Sequence, residues 1–167
     1  MKMNIFVLSE CPTESAEMMV DKHVVKMPTE SMQMMCTIAN LHDYQTPFAP
    51  VMLNHPCTIW ARQSRQNFNW LREHTLALCK EYTRRYGKRH KVEWCLKEYD
   101  ATWITLESEL PDIGLTPFAV AISDHKNCRQ LDGFDDMSVV DKYRAYYMHD
   151  KNHIASWKTK RPSWFTA

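Results

Sequence analysis

Three polar side chains in one segment have the types and the spacing for proton-transfer chemistry: His23, Lys26 and Glu30. Successive residues of an α-helix turn by about 100°, so these three fall within roughly 60° of one another, with Lys22 and Gln33 at the edge of the stripe. An imidazole, a cation and a carboxylate along one helix face suit proton transfer or the handling of a charged intermediate. The stripe also fits a solvated helix face that carries a Lys26–Glu30 ion pair.

Other residues of the same segment help to decide between a proton-transfer site and a solvated helix face. Asp21 projects toward the apolar side of the helix, where an unpaired carboxylate would be unfavourable. Pro28 lies inside the pattern and should kink the helix or begin a second one. We therefore predict a helix or a kinked helix pair over residues 14–40, with its polar stripe lining a concave site. The face predicted to pack into the core consists of Val24, Val25, Met32, Met35 and Cys36.

The composition indicates a globular protein built from helices. A chain of 167 residues with 44% hydrophobic and 25% charged residues is most simply one domain over residues 1–167. Only 3 Gly beside 11 Met, 6 Trp and 7 Tyr favour long helices over a turn-rich β architecture. The net charge of +1 excludes a gross polycation, so contact with nucleic acid must come from a local patch.

The sequence carries no signal peptide and no apolar run near about 18 residues. We therefore expect a cytoplasmic protein without a membrane partner. The six cysteines are scattered and include no C-x-x-C pair, which favours reduced thiols over a disulfide framework or a zinc site. His149 and His153 have the spacing to share a metal on a helix, but no third ligand is apparent, and neither a metal nor another cofactor is expected.

Four helical segments separated by loops are predicted to position the site. Pro12-Thr13 precedes the first, Pro56 lies at the first helical position of the second, and Gly87 is a plausible C-cap for it. We find no internal repeat. The prediction is an all-α, compact single domain of about four helices with long loops. The helical segments cover approximately residues 14–40, 54–87, 92–107 and 138–157, and residues 124–138 are predicted to form a surface loop.

Basic and aromatic residues are concentrated in two places. Cations that neutralise phosphates and rings that stack on bases are the components of a nucleic-acid groove. Each cluster has an alternative interpretation, in which the rings pack in the core and the cations are solvated at the surface. The first cluster contains Arg62, Arg65, Asn67, Trp70 and Arg72, followed by the basic residues of 84–91. The second contains Tyr143, Arg144, Tyr146, Tyr147, Lys151, Trp157, Lys158, Lys160, Arg161 and Trp164.

Four landmarks occur in an order that resembles a known family. Ser9-Glu10 precedes Asp21-x-His23, with Glu30 seven residues after His23. His55-x-x-Thr58 opens a long helix that ends at Gly87. Residues 116–123 contain Thr-Pro-x-Ala-x-Ala-Ile-Ser, and residues 161–165 read Arg-Pro-Ser-Trp-Phe. This arrangement resembles the bacteriophage pyrimidine-dimer DNA glycosylase (endonuclease V) family. The D-K-H-V-V-K-M and N-H-P stretches also resemble a set of phage proteins.

The resemblance implies an endonuclease V-like helical protein that bends duplex DNA and displaces a base. In that family an N-terminal α-amine attacks the sugar C1′, while a glutamate stabilises the cationic sugar and moves protons. Matched by position, Glu30 is the catalytic carboxylate, His23 its polar partner and Met1 the carrier of the amine. Residues predicted to bind substrate or DNA are Lys22, Lys26, Thr29, Gln33, His55, Arg62, Arg144, Arg161 and Trp164.

The chain also departs from the family pattern. Thr29 stands where the family has an arginine, and extra residues occur near 10–16 and near 127–152. Lys2 is expected to retain Met1, so we predict weak lyase activity or none.

Three classes of function stay open: a glycosylase acting on a damaged or modified pyrimidine, a transferase or similar enzyme that modifies a phage DNA base or a nucleotide in the same pocket, and a non-catalytic binder of nucleic acid or protein. The expected partner is duplex DNA or a nucleotide, and the expected state is a monomer, in the host cytoplasm if a phage encodes the protein.

Overall fold

The computed structural model describes residues 3–166, and these residues form helices joined by loops. Its seven α-helices are α1 (Pro12–Glu17), α2 (Asp21–Leu41), α3 (Pro56–Arg62), α4 (Arg65–Tyr86), α5 (Glu93–Glu98), α6 (Asp100–Glu109) and α7 (Val139–Asp150). Short 3-10 helices cover Asn127–Gln130, Phe134–Asp136 and Asn152–Ile154. Over the described range there is no strand, and the predicted all-α fold class is confirmed. None of the helices within residues 3–166 has the length and the apolar composition that a membrane span requires.

Each of the first three predicted helical segments is divided into two helices, which is why about four segments give seven helices. The first break falls at residues 18–20, where Val20 has extended backbone, and not at Pro28. Helix α2 is continuous through Pro28. The second segment breaks at Ser64, which is also extended and whose side chain accepts the N–H of Asn67 as an N-cap.

The residues from Met3 to Leu8 form a buried segment without regular secondary structure that runs through the core. Met3, Leu8 and the residues between them are all less than 9% exposed. Its polar groups are satisfied by distant parts of the chain: Asn4 Nδ2 donates to Ala121 O at 2.8 Å, and Leu8 O accepts from Arg144 Nε at 3.0 Å. The segment therefore joins α2, α7 and the loop before the first 3-10 helix.

The two regions where the chain has more residues than the family pattern are both ordered. The first contains α1, which is held on α4 because Trp70 Nε1 donates to Glu10 O at 2.7 Å. The second contains two 3-10 helices and α7. Residues 124–138, predicted to be a surface loop, contribute Cys128 and Phe134 to the core.

A buried ion-pair network provides the partner of Asp21, whose carboxylate projects toward the apolar side of α2. Asp21 Oδ1 lies 3.1 Å from Nη1 of Arg85, whose side chain is fully buried. Arg85 also binds Glu81 at 2.8 Å and donates to Met19 O at 2.7 Å. Asp21 further accepts the backbone N–H of Lys158 at 3.0 Å. The network fixes the start of α2, and thus its polar stripe, against the end of α4.

Candidate active site

Glu30 is buried on α2, with a relative exposure of 2%. Its Oε1 accepts the backbone N–H of Asn4 at 3.3 Å. Its Oε2 lies 3.4 Å from Lys26 Nζ, an ion pair whose angles do not make a hydrogen bond, and Oε2 has no other partner among the described residues. Burial raises the pKa of the Glu30 carboxyl above its usual value, and the Lys26 ammonium and the Asn4 N–H oppose that rise. A buried carboxyl of this kind is suited to exchanging a proton with a substrate.

Glu30 lies on the wall of an open cavity of about 580 Å³, which we call the Glu30 cavity. Four of its lining residues carry cations, so the cavity favours an anionic ligand such as a phosphate. Val25, predicted to be in the core, lines this wall instead and is 43% exposed. The lining consists of Val25, Lys26, Thr29, Glu30, Gln33, Tyr82, Lys88, Arg89, His90 and Lys91.

The turn after α4 brings its cations to the Glu30 cavity. Gly87 ends the helix with left-handed backbone at φ 71°, a conformation that favours glycine. His90 then anchors the turn to α2, because its Nε2 donates to Val25 O at 2.8 Å while its Nδ1 accepts the N–H of Val92 at 3.2 Å. Burial lowers the pKa of His90, which is consistent with a neutral ring that both donates and accepts.

His23 lies apart from the Glu30 cavity, although it shares the polar stripe of α2. Its ring is buried and stacks on Phe6, with ring centroids 4.2 Å apart and an interplanar angle of 19°. Its Nδ1 lies 2.6 Å from the hydroxyl of Tyr147. Burial, followed by the nearby ammonium groups of Lys151 and Lys26, lowers the pKa of His23 to about 3. The imidazole is therefore neutral at physiological pH, which does not suit a group that cycles its proton.

A second cavity of about 400 Å³, which we call the His23 cavity, adjoins the first. Lys26 lines both cavities, and Asn4 links them because its backbone binds Glu30 while its side chain lies in the second lining. Tyr143 holds one wall in place: its hydroxyl donates to Ala119 O at 3.0 Å and accepts the N–H of Ala121 at 2.9 Å. The lining consists of Met3, Asn4, Phe6, His23, Lys26, Met27, Met52, His55, Pro56, residues 120–123, Tyr146 and Lys151.

The residues predicted to bind substrate or DNA are divided among several places. Thr29 and Gln33 line the Glu30 cavity beside Lys26. His55 lines the His23 cavity and also caps α3, because its Nδ1 accepts the N–H of Cys57 at 3.1 Å. Lys22 is exposed on α2. Met1, predicted to carry the amine, lies outside the described residues.

The arginines of the first basic cluster bind groups of the chain itself. Arg62 Nη1 donates to Leu53 O at 2.6 Å. Arg65 binds backbone carbonyls, including that of Leu110 at 3.0 Å. Arg72 Nη2 lies 3.0 Å from a carboxylate oxygen of Glu107. The part of this cluster that lines the Glu30 cavity is the turn at residues 88–91.

The C-terminal cluster packs cations on rings. The Arg144 guanidinium lies 5.1 Å from the ring centroid of Trp164. Arg161 is exposed and lies within 5.8 Å of the Trp157 ring and 5.4 Å of the Phe165 ring. Arg144, Arg161 and Trp164 do not line either cavity, so a role in binding DNA stays a prediction for them.

The sequence did not indicate Asn4 and Phe6 as site residues, although both line the His23 cavity. Phe6 has left-handed backbone at φ 52°, which costs a bulky residue about 1–3 kcal/mol. Asn4 Oδ1 supports this turn by accepting the N–H groups of Ile5 at 2.9 Å and Phe6 at 3.1 Å. The tendency of asparagine side chains to bond the backbone two residues on is the one signal that could have identified the turn.

Side chains that could ligate a metal are dispersed. Across residues 3–166, no three His, Cys, Asp or Glu side chains are grouped so that they could hold a metal ion. His149 and His153 are both exposed. All six cysteines are free thiols, and all except Cys11 are buried.

Comparison with known proteins supports the resemblance found in the sequence. A family model described as pyrimidine dimer DNA glycosylase matches residues 3–94. The match includes Asn4, His23, Glu30 and the basic turn at residues 88–91, but it ends before the wall at residues 120–123 and before α7. No curated protein and no solved structure matches the chain.

Proposed function

The chain belongs to the pyrimidine dimer DNA glycosylase family, and we propose that it breaks the glycosidic bond of a damaged or modified pyrimidine in duplex DNA with Glu30 as the catalytic carboxylate. One observation carries the assignment of Glu30: a buried carboxyl, with one oxygen that lacks a hydrogen-bond donor, at the wall of a cation-lined cavity.

The chemistry needs a carboxylate at this position. As the bond from the base nitrogen to C1′ breaks, the electron pair leaves with the base and positive charge develops on the sugar. A carboxylate beside C1′ stabilises that charge. A nucleophile, either water or an amine, then forms a bond to C1′ and transfers its proton to Glu30, and the departing base takes up a proton.

Lys26 controls access to the carboxylate. Its ammonium covers Glu30 Oε2 at 3.4 Å, while 59% of its side chain is exposed. The exposed lysine can turn from this ion pair toward a substrate phosphate, because its ammonium then exchanges one anionic partner for another. Binding of DNA would thus uncover Oε2.

The basic turn supplies further phosphate contacts. Lys88, Arg89 and Lys91 line the same cavity as Glu30, and His90 anchors the turn to α2. Phosphate oxygens neutralised by these cations would bring the sugar-phosphate backbone past Glu30. This arrangement supports a nucleic acid as the ligand of the Glu30 cavity.

The decisive experiment measures how fast Glu30→Gln forms an abasic site in a duplex that contains a pyrimidine dimer, because a base cut from one sugar stays joined to its partner in the dimer. The substitution keeps the shape of the side chain and an oxygen acceptor for the Asn4 N–H, so we expect a folded protein. Loss of a carboxylate that moves a proton lowers the rate by about 10²- to 10⁴-fold.

Glu107→Gln is the matched control. Glu107 pairs with Arg72 at 3.0 Å and lies outside both cavities, so its substitution should leave the rate close to that of the wild type. Full activity of Glu30→Gln would remove Glu30 from the mechanism and leave it the role of an ion-pair partner of Lys26.

A further inference from the structure

Gln33 provides the Glu30 cavity with a second unpaired oxygen. Its side-chain Oε1 is buried and has no hydrogen-bond partner among residues 3–166, and the same holds for Glu30 Oε2. Both residues line the cavity, and Gln33 as a whole is partly exposed, so its amide can turn toward the cavity. A buried acceptor without a donor is costly. Two unpaired acceptors at one wall therefore indicate a ligand that donates hydrogen bonds.

Gln33 and Glu30 lie one helical turn apart. Residues at positions i and i+3 of a helix are on the same face, with Cβ atoms about 5–6 Å apart. Helix α2 is continuous through both residues, so this relation holds for the pair. A water molecule that donates two hydrogen bonds of about 2.8 Å each spans two oxygens roughly 4–5 Å apart. The two side chains therefore have the spacing to hold one water molecule between their oxygens.

Water is the donor that fits these two oxygens. The sugar-phosphate backbone of DNA presents oxygens that accept, so it cannot pair with them. The amine that contacts Glu30 among the described residues is that of Lys26, which is bound as an ammonium and has no lone pair for an attack. A water molecule has two hydrogens for the two oxygens and a lone pair for the sugar. It reaches Oε2 once Lys26 has turned toward a phosphate.

We propose that Gln33 and Glu30 together hold the water molecule that attacks C1′, so that the chain is a hydrolytic glycosylase. This inference rests on the proposed function, since it assumes cleavage of the glycosidic bond beside Glu30. The water donates one hydrogen to Glu30 Oε2 and the other to Gln33 Oε1, which directs a lone pair toward the sugar. As the bond from the base nitrogen to C1′ breaks, its electron pair leaves with the base. The water oxygen bonds to C1′, one water proton passes to Glu30, and the base takes up a proton from solvent.

The first part of the test is the rate at which Gln33→Met forms abasic sites in a duplex that contains a pyrimidine dimer, measured in a single turnover. Methionine has nearly the length of glutamine but only a weak acceptor. We expect the rate to fall by roughly tenfold, the effect of one well-placed hydrogen bond. The affinity for the duplex should stay the same, because the Gln33 oxygen binds water and not DNA.

The second part identifies the nucleophile. Added methanol competes with water for C1′ and yields a methyl glycoside in place of an abasic site. Methanol has one hydroxyl hydrogen and cannot satisfy two acceptors, so the wild type should discriminate against it. Gln33→Met retains one strong acceptor, and its methyl glycoside fraction should rise. Borohydride, which traps an imine between an amine and C1′, should give no covalent adduct with the wild type at the rate of base cleavage.

Two further variants make the test specific. Gln45→Met changes an exposed glutamine outside both cavities and should match the wild type in rate and in methyl glycoside fraction. Gln33→Ala removes the amide without adding an apolar side chain of the same length. We expect it to behave as Gln33→Met does, and it decides the question if Gln33→Met does not fold.

An unchanged rate in both Gln33 variants would overturn the inference. A slower rate without a higher methyl glycoside fraction would also overturn it, because Gln33 would then act through the fold alone. A covalent adduct that forms as fast as the base is cleaved would replace water by an amine and leave the proposed function standing. The absence of both abasic sites and adduct in the wild type would disprove the proposed function together with this inference.

Discussion

Glu30 and Glu81 are alike in sequence and differ in their surroundings. Each lies on a long helix and pairs with a cation four residues away, Lys26 for Glu30 and Arg85 for Glu81. Each is almost completely buried, with exposures of 2% and 1%. Each has one carboxylate oxygen without a hydrogen bond, although a cation lies within 3.4 Å of it. Residue type, spacing and burial therefore do not distinguish the two carboxylates.

A buried partner cation distinguishes Glu81 from Glu30. Glu81 has an exposed partner in Arg84 at 3.3 Å, but it is also bound at 2.8 Å by Arg85, whose side chain is 0% exposed and which also holds Asp21. The Lys26 side chain is 59% exposed, lies 3.4 Å from Glu30 and lines two cavities. A carboxylate that is also held by a buried, multiply bonded cation stabilises the fold, whereas a carboxylate whose cation partner is exposed can exchange that partner for a ligand.

Removing the two cations should have the largest and the most unequal effect. Arg85→Met leaves Glu81 and Asp21 without their buried partner, and we expect the free energy of unfolding to fall by about 3–5 kcal/mol. Lys26→Met removes an exposed partner, and we expect a smaller loss than for Arg85→Met, because Glu30, whose pKa is already raised by burial, can take up a proton instead. Urea unfolding followed by circular dichroism measures both. Equal losses would refute the distinction between the two carboxylates.

The second expected effect is smaller and concerns how the stability contributed by Glu30 depends on pH. Burial raises the folded-state pKa of Glu30 above its usual value of 4.5, so between those two values the folded state binds more protons than the unfolded state. The stability contributed by this carboxyl therefore decreases as the pH rises through that window. Gln does not titrate. The free energy of unfolding of Glu30→Gln, relative to the wild type, should increase with pH by about 1.4 kcal/mol per unit of pKa difference. A difference that does not change with pH would contradict the raised pKa.

The smallest expected effect separates cations that line the Glu30 cavity from cations that lie outside it and bind the chain. Lys88 lines the Glu30 cavity, whereas Arg72 is paired with Glu107. In duplex binding at several salt concentrations, Lys88→Ala should reduce the slope of log affinity against log salt by about 1. Arg72→Ala should leave the slope unchanged. A reduced slope for Arg72→Ala alone would move the DNA surface to the first basic cluster.

Local pattern predicted much of α2 but not the separation of its polar stripe into two cavities. Helical periodicity placed His23, Lys26 and Glu30 on one side, and all three lie at cavity walls. The division arises because Asn4 binds Glu30 while Phe6 stacks on His23, and both come from a segment distant in sequence. No periodicity within a helix carries information about such a contact.

The first basic cluster shows a second limit of sequence reasoning. Counting cations located Arg62, Arg65 and Arg72 correctly on helices, but their carbonyl and carboxylate partners come from elsewhere in the chain. A sequence shows where charge is and not whether the protein itself neutralises it. Asp21 is the converse case: its position indicated that an unpaired carboxylate would be unfavourable there, and Arg85, 64 residues later, pairs with it.

The buried segment at residues 3–8 has a consequence for how the protein is made. Asn4 bonds a carbonyl 117 residues later, and Leu8 accepts from an arginine 136 residues later. These residues are synthesised long before their partners, so they can reach their final positions only after the partners have left the ribosome. Such distant pairing slows folding and exposes apolar chain meanwhile. A fragment limited to residues 3–94 would contain Glu30 but would lack the wall and the helix that enclose the His23 cavity.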